Sequence, residues 1–469
     1  MKSSVKNVLI LSVFILTALT EGYSRAGGGG GHHSSGGGGG GFHSSGGGSF
    51  GSGGIGSGVF FGGSLLPVVV IGILVVLAII YFSKFSKKNG AGVDDGPDSE
   101  VDLSVLGAEF NKEAFIQKVV VAFSGIQNAW QEKNLANVRR WITDGVYQRF
   151  NAQFVMMKIL EQENKLSNIR INRIQIQSAE QQGTYSTITA SINFTMDDEF
   201  ICKKDSSLNE EYDGDTATEY WTFIRKTGIV EKDLYHSNSC PHCGDALNSD
   251  GGEVSKCASC GSITYLGDYD WVLCEITQSE DYSSGAYALK TSDPILAPVL
   301  ADQGDSFCVP LMEDKASNAV MQYFESIATR DLKYLHRFTT DALIAKIGDT
   351  VKASPPIVFS RLFLNNVDLV QYDGDGGSHR LVFNIGYSAM RIEKRENKFV
   401  KIDSEAEPHR LQLVLKKKSG VGQKNKLWGF ECSCCGAPYS DTTDTTCSYC
   451  SAKINSSEND WVMDNLSTV

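Results

Sequence analysis

Cys257-Ala258-Ser259-Cys260-Gly261, followed by Asp270-Trp271-Val272-Leu273, returns near the other end of the chain as Cys447-Ser448-Tyr449-Cys450, followed by Asp460-Trp461-Val462-Met463. Trp271 stands eleven residues after Cys260, and Trp461 eleven after Cys450. Upstream, Asn134-Leu135 and Val138-Arg139-Arg140-Trp141-Ile142-Thr143-Asp144 line up with Asp331-Leu332 and Leu335-His336-Arg337-Phe338-Thr339-Thr340-Asp341. The offset there is 197, against 190 to 192 at the cysteines. Ordinary loop variation covers that difference, so duplication is the economical explanation. The first copy spans 103–276 and the second 313–466. The segment between them, 277–312, contains Pro294, Pro298 and Pro310 and reads as a linker.

Each copy orders helices before strands. Phe110, Phe115, Val119, Phe123, Ile126 and Trp130 recur at helical spacing and predict one long amphipathic helix. Val138–Phe150 and Phe154–Leu160 continue helically. Ile188, Ala190, Ile192 and Phe194 then alternate, as do Trp221, Phe223 and Arg225. In the second copy the alternating sets are Leu381, Phe383, Ile385 and Tyr387, then Leu411, Leu413 and Leu415. A period of two marks strands with one buried face. Helices ahead of a meander make an α+β layer, with the helices on one face.

The cysteines carry the strongest chemical signal. Cys240, Cys243, Cys257 and Cys260 form C-x2-C…C-x2-C, each pair followed by Gly. Such turns present two thiolates apiece, and two turns close a tetrahedral site for zinc. Cys432, Cys435, Cys447 and Cys450 form a second set, with Cys434 as a possible substitute ligand. The competing reading is disulfides in an oxidising compartment. Four cysteine ligands leave no open position for water, so both ions read as structural, each folding a small ribbon, 238–265 and 430–455. Cys202, Cys274 and Cys308 are single and read as buried thiols.

The N-terminal part reads as membrane targeting. Lys2 and Lys6, the apolar run Val8–Leu19 and Ser24-Arg25-Ala26 fit a signal peptide over 1–26. Residues 27–64 form a Gly/Ser tract; 21 of the 48 glycines fall between Gly27 and Gly63, a composition of flexible coil. Leu65–Phe82 carries no charge over 18 residues, which is the length of a transmembrane helix. Lys84, Lys87 and Lys88 follow directly, so the positive-inside rule places everything after the helix in the cytoplasm. Residues 83–102 are an acidic linker. Six basic and six acidic residues precede Leu103, so the net charge of −12 belongs to the body. That balance is wrong for nucleic acid, and the ribbon loops are acidic too.

Taken together, Phe115, Phe123, Ile126-Gln127, Ala129-Trp130, Lys133-Asn134-Leu135, Ile142-Thr143-Asp144, Trp221-Thr222-Phe223-Ile224-Arg225 and Trp271-Val272-Leu273 resemble the Tim-forty-four-like (Tim44-like) domain family. That family includes the matrix-side anchor of the mitochondrial import motor and bacterial inner-membrane proteins with the same order of signal, Gly/Ser tract, helix and domain. Two departures stand out: Asn134 where the family favours Asp, which the second copy keeps as Asp331, and Leu411 where the strand Trp would stand. The resemblance implies two tandem nuclear-transport-factor-two-like (cystatin-like) cones, each with an inserted zinc ribbon, behind one transmembrane helix. It also implies that each ribbon is inserted between two paired strands and projects from a hairpin tip.

The implied function is a non-catalytic, membrane-integral scaffold at the inner face of the bacterial inner membrane, engaging protein partners in assembly or translocation. The alternative is an enzyme using an apolar pocket of the cone. Its candidates are thin: Asp144 and Asp341 read as helix-end residues, and His336, His379 and His409 have no carboxylate dyad in sequence. Asp373-Gly374-Asp375-Gly376-Gly377 lacks the twelfth-position Glu of a calcium loop and reads as a hairpin turn.

Overall fold

The computed structural model describes residues 101–247, 254–282, 288–304, 307–396, 398–422, 431–432, 434–437 and 446–469. The signal, the Gly/Ser tract, the helix at 65–82 and the linker as far as residue 100 lie outside the described residues. Among the described residues, no helix is long and apolar enough to cross a membrane.

The first helix, α1, runs Lys112–Glu132. The Asn111 side chain caps it by accepting the Ala114 N–H at 2.8 Å. Phe115, Val119, Ala122, Phe123, Ile126, Ala129 and Trp130 form its buried stripe. The helix ends where Lys133 turns left-handed, at φ 51°. The helical stretch expected from Val138 divides into a 3-10 turn, Arg139–Trp141, and α2, Asp144–Leu160. The break has a cause: Ile142 bridges Leu273, and the Thr143 N–H donates to the Leu273 carbonyl at 3.0 Å.

Strands β1 (Gln162–Gln182), β2 (Tyr185–Cys202), β3 (Glu210–Lys226) and β4 (Val272–Gln278) form an antiparallel sheet in that order. Ile188, Ala190, Ile192 and Phe194 are fully buried, as the alternation requires. Phe123 of α1 packs 4.8 Å from Phe194 and 5.7 Å from Trp221, centroid to centroid. Phe115 meets Phe223 edge-on at 5.4 Å.

The same order then repeats. After α3 (Ser279–Tyr282) and α4 (Ala297–Gln303) come α5 (Val309–Thr329), a 3-10 turn Lys333–Arg337 and α6 (Asp341–Ala353). Strands β5 (Ile357–Gly374), β6 (Ser378–Arg395), β8 (Glu407–Lys418) and β9 (Val462–Thr468) make the second sheet, with the short β7 (Lys398–Lys401) beside β6. The tract at 373–377 is the β5–β6 turn. In both sheets the cysteine cluster falls between the last two strands, which pair with each other, β3 with β4 and β8 with β9. The architecture is α+β, a helical layer on a meander, built twice.

The segment read as a linker, 277–312, is substantially structured. It holds α3, α4 and the start of α5, and buries Leu296, Val299, Phe307 and Cys308. The two halves also share a core. On α2, Val146, Phe150 and Met157 pack into the first core, while Ala152, Met156 and Leu160 join the second. Cys202 and Leu208 of the first half enter that second core as well.

Polar groups complete the joint. Arg149, 2 % exposed, donates to the Ile276 carbonyl at 2.9 Å, to Glu275 at 2.7 Å and to Ser317 Oγ of α5 at 2.9 Å. Thr143 Oγ1 donates to Asp314 Oδ1 at 2.6 Å. Gly145 lies against Asp314 so closely that a Cβ would overlap both its side chain and its backbone carbonyl.

Two outcomes follow from this crossing. Gly145→Ala pushes α2 off α5, an overpacking that costs about 1–3 kcal/mol; chemical denaturation reads it as a lower midpoint, and an unchanged midpoint contradicts the crossing. Burial, with Asp144 beside it and the Thr143 hydrogen bond opposing, pushes Asp314 up from 3.8 to about 7. Its charge is therefore unfavourable in the folded state. Its contribution to stability is full below its ordinary value, falls as pH rises toward 7 and is level above that. Asp314→Asn removes that part of the slope, which pH-resolved denaturation of the two proteins compares; parallel curves contradict the assignment.

Candidate metal centre

Four turns of one construction hold the cysteines. The Cys240 carbonyl accepts the Gly244 N–H at 2.9 Å, and the Cys240 N–H donates to the Asp245 carbonyl at 2.6 Å. Cys257 does the same with Gly261 and Ser262, each at 2.8 Å, and Cys432 with Gly436 and Ala437, each at 2.7 Å. Cys447 repeats it with Ser451 and Ala452, each at 2.8 Å. The residue after the second cysteine must then be left-handed, with φ of 85°, 74° and 76° at Gly244, Gly261 and Gly436. Glycine takes that conformation without a Cβ penalty. The fourth turn places Ser451 there, at φ 61°.

These turns bring together every cysteine that the spacing singled out. Within each set the four Sγ atoms lie within 4.8 Å of one another. Cys240 and Cys260 are 3.7 Å apart, as are Cys243 and Cys257. Cys432–Cys450 is 3.6 Å and Cys435–Cys447 is 3.7 Å. A disulfide needs about 2.05 Å, and none of these thiols is so bonded. A tetrahedron of sulfurs about 2.3 Å from a central ion has an edge of about 3.8 Å. Both sets are thus four-cysteine groups able to bind a metal ion. Cys434 stays outside the second group. Cys202, Cys274 and Cys308 are buried, and burial raises the Cys308 thiol to about 12, away from nucleophilic use.

Each ribbon is tied to its body at one equivalent point. Asp144 and Asp341 begin α2 and α6. In the first half, fully buried Tyr265 leaves the ribbon and lies under the Arg139 guanidinium at 3.5 Å. Arg139 also pairs with Asp144 and donates to the Ile142 carbonyl at 2.6 Å. Burial raises the Asp144 carboxyl, with Arg139 opposing; burial and then Asp144 push Tyr265 well above its ordinary value.

In the second half, Asn455 donates to the Thr339 carbonyl at 2.7 Å and to Asp341 at 2.9 Å. Lys453 donates to Asp341 at 2.6 Å, and its hydrogen bond holds that carboxyl low. On the entry side, Tyr235 stacks on Trp141 at 5.2 Å and donates to the Trp271 carbonyl at 2.8 Å. The bases of the ribbons therefore fold back onto the helix starts, the first against buried Arg139 and Asp144 and the second against exposed Asp341 and the buried Thr339 carbonyl.

The repeated Asp-Trp pair also gains a physical role. Asp270 accepts the Trp271 N–H and the Leu234 N–H, at 2.8 and 3.0 Å, and meets Lys118 of α1. Burial raises Asp270 to about 6, with Lys118 opposing. Asp460 accepts the Trp461 N–H at 2.8 Å and acts on buried Lys315. Lys118 and Lys315 differ by the same offset of 197, so the repeat register alone could have paired them.

His379 does acquire a carboxylate. Its Nε2 lies 2.9 Å from Asp302 of α4 and its Nδ1 2.9 Å from the Tyr372 hydroxyl. At 4 % exposure it fastens α4 to β6. The second half has a cavity of about 210 Å³ lined by Tyr323, Phe324, Phe359, Tyr387 and Arg330 among others. The first has a wider groove of about 530 Å³ that includes Lys133, Phe154 and Met157.

Residues 105–235 match the family described as Tim44-like domain. The first half of the body thus carries a Tim44-like domain, and the match stops five residues short of Cys240. Among solved structures the chain is similar to an Ntf2-like protein involved in plasmid conjugation, at 8% identity, covering 59% of this chain and 93% of that one, with a TM-score of 0.11. It is also similar to a cystatin-like protein from Ruminococcus gnavus, at 10% identity, covering 64% and 95%, with a TM-score of 0.11. No curated protein matches it.

The odd turn yields a test. Ser451→Gly relieves a left-handed conformation worth about 1 kcal/mol and slows metal loss from the second ribbon to a chelator. Gly244→Ala, whose Cβ meets nothing within 4 Å, speeds loss from the first for the same conformational reason. Equal rates across the three proteins contradict the turn geometry.

Proposed function

We propose that this chain is a membrane-anchored, non-catalytic scaffold that engages proteins in assembly or translocation at the inner face of a bacterial inner membrane. The observation that carries the reading is the Tim44-like match over 105–235, since domains of this kind typically interact with proteins. The uncharged run Leu65–Phe82 and the lysines after it supply the anchor and its orientation.

Zinc is the metal best suited to both four-cysteine groups. Thiolate donors in a closed tetrahedron favour it, and the cytoplasmic side assigned to the body keeps thiols reduced. In this role the ions have no catalytic part, since four sulfurs leave no position for substrate. They hold the ribbons in shape, and the ribbons extend the surface open to a partner.

Photo-crosslinking of the full chain in its native membrane, followed by mass spectrometry, tests the reading. Recovery of specific protein neighbours is expected. Failure to recover any, together with turnover of a small molecule held by the second-half cavity, makes the chain an enzyme. A reporter fused after Val469 tests the orientation: activity confined to the cytoplasm is expected, and periplasmic activity reverses the topology.

A further inference from the structure

The two halves correspond residue by residue, because their irregularities repeat. In β1 the pairing slips after Ser167, Ile171 and Ile176, and in β5 after Ser360, Leu364 and Leu369, an offset of 193 each time. Left-handed Asn168, at φ 52°, returns as Arg361 at φ 50°. Helices α1 and α5 both end on a left-handed cation, Lys133 and Arg330. In the last strands Glu219 pairs with Gln278, and Leu411 pairs with Thr468. Since Trp271 answers Trp461, Gln278 answers Thr468, and Leu411 stands in the place of Glu219 rather than of Trp221.

Five of these correspondences meet at one place. In the first half Trp130 Nε1 donates to Asn164 Oδ1 at 2.5 Å, and Asn164 donates on to Asp198. Glu219 accepts from Trp221 Nε1 at 2.8 Å and from Gln278 Nε2 at 3.0 Å. Trp130, Asn164, Asp198, Glu219 and Gln278 are all buried, so the space there is filled. In the second half Ile327, Ile357, Arg391, Leu411 and Thr468 stand at those positions, and all five line the cavity of about 210 Å³. Isoleucine for tryptophan and threonine for glutamine open the space. Losing two carboxylates and gaining a guanidinium reverses the sign of charge around it.

The lining of that cavity suits one kind of molecule. Phe324 meets Phe359 edge-on at 5.0 Å and Tyr387 at 4.7 Å, which makes an aromatic wall. Two arginines line it and no Asp or Glu does; the wider groove of the first half, by contrast, mixes Glu161 and Glu163 with its lysines. Asp403 clasps Arg391 through Nε at 2.9 Å and Nη2 at 2.7 Å, and among the described residues Nη1 has no partner. Arg330 donates to the Val351 and Ser354 carbonyls at 2.5 and 3.0 Å, and among the described residues no carboxylate pairs with it. A volume below the roughly 300–1,000 Å³ of clefts for drug-sized ligands admits one ring with a short acidic arm, not a nucleotide or a lipid. We propose that the second half binds a small aromatic carboxylate, its ring against the aromatic wall and its charge toward Arg391 and Arg330. This site is separate from the scaffold reading and from the zinc sites, and depends on neither.

The test titrates the full-length chain in detergent, loaded with zinc, with benzoate, and follows binding by ligand-observed NMR. Benzoate is expected to bind, and benzamide, which has the same shape without the charge, to bind about ten-fold more weakly. Ile327→Trp with Thr468→Gln restores the bulk of the first half and is expected to abolish benzoate binding while the circular dichroism stays native. Should that variant fail to fold, Arg330→Gln is expected to weaken benzoate several-fold and to leave benzamide unchanged. No binding of benzoate at millimolar concentration overturns the proposal, as does equal binding of benzamide. Undiminished binding by a folded, refilled variant overturns the location, and tighter binding of laurate than of benzoate overturns the ligand class.

Discussion

Gly145 meets Asp314 where a helix of the first half crosses a helix of the second, and no side chain fits between them. That approach is what lets α2 serve two cores at once. Its Phe150 side completes the first and its Met156 side completes the second. Removing either neighbour exposes an apolar face of α2 to water, at about 25 cal/mol for each Å² uncovered. The duplicated halves therefore fold as one body, with Arg149 and Thr143 supplying the buried hydrogen bonds that fix the crossing. A buried polar joint of this kind sets register as much as strength, because each donor left without its acceptor is costly.

The ribbons depend on that joint. Asp144 opens α2, the helix that makes the crossing, and pairs with Arg139, whose guanidinium lies over Tyr265 of the first ribbon. Asp341 opens the equivalent helix and receives Asn455 and Lys453 from the second. A ribbon without an interior of its own thus gains position from the body and shape from its four sulfurs. The charged groups below have structural work that accounts for them: Lys118 and Arg139 each neutralise a buried aspartate.

Much of this was legible in the sequence because it rests on short-range chemistry. C-x2-C turns announce themselves by spacing, and β2, β3, β6 and β8 by strict alternation. The first strand of each sheet was not. In β1 the pairing register slips at three places, between Ser167 and Arg170, Ile171 and Arg173, and Ile176 and Ser178. Each slip breaks the period of two on which strand recognition depends. In β5, Leu362, Phe363 and Leu364 are consecutive apolar residues and the pairing register slips between Ser360 and Phe363, so the run shows no alternation. Helix α2 hid its role for a similar reason: a helix buried on two sides has no polar face to mark its orientation. The contacts that seat the ribbon bases at Asp144 and Asp341 join residues more than a hundred positions apart, and the repeat register hinted only that Lys118 and Lys315 hold equivalent places beneath the two Asp-Trp pairs.

Metal held by sulfur in both ribbons of a single body is the claim on which everything above the joint depends. X-ray absorption at the zinc edge, on full-length protein purified under reducing conditions and assayed for metal per chain, addresses this directly. It should find two zinc ions per chain, each surrounded by four sulfurs at about 2.3 Å. Nitrogen or oxygen in the first coordination sphere, one ion per chain, or none would contradict it.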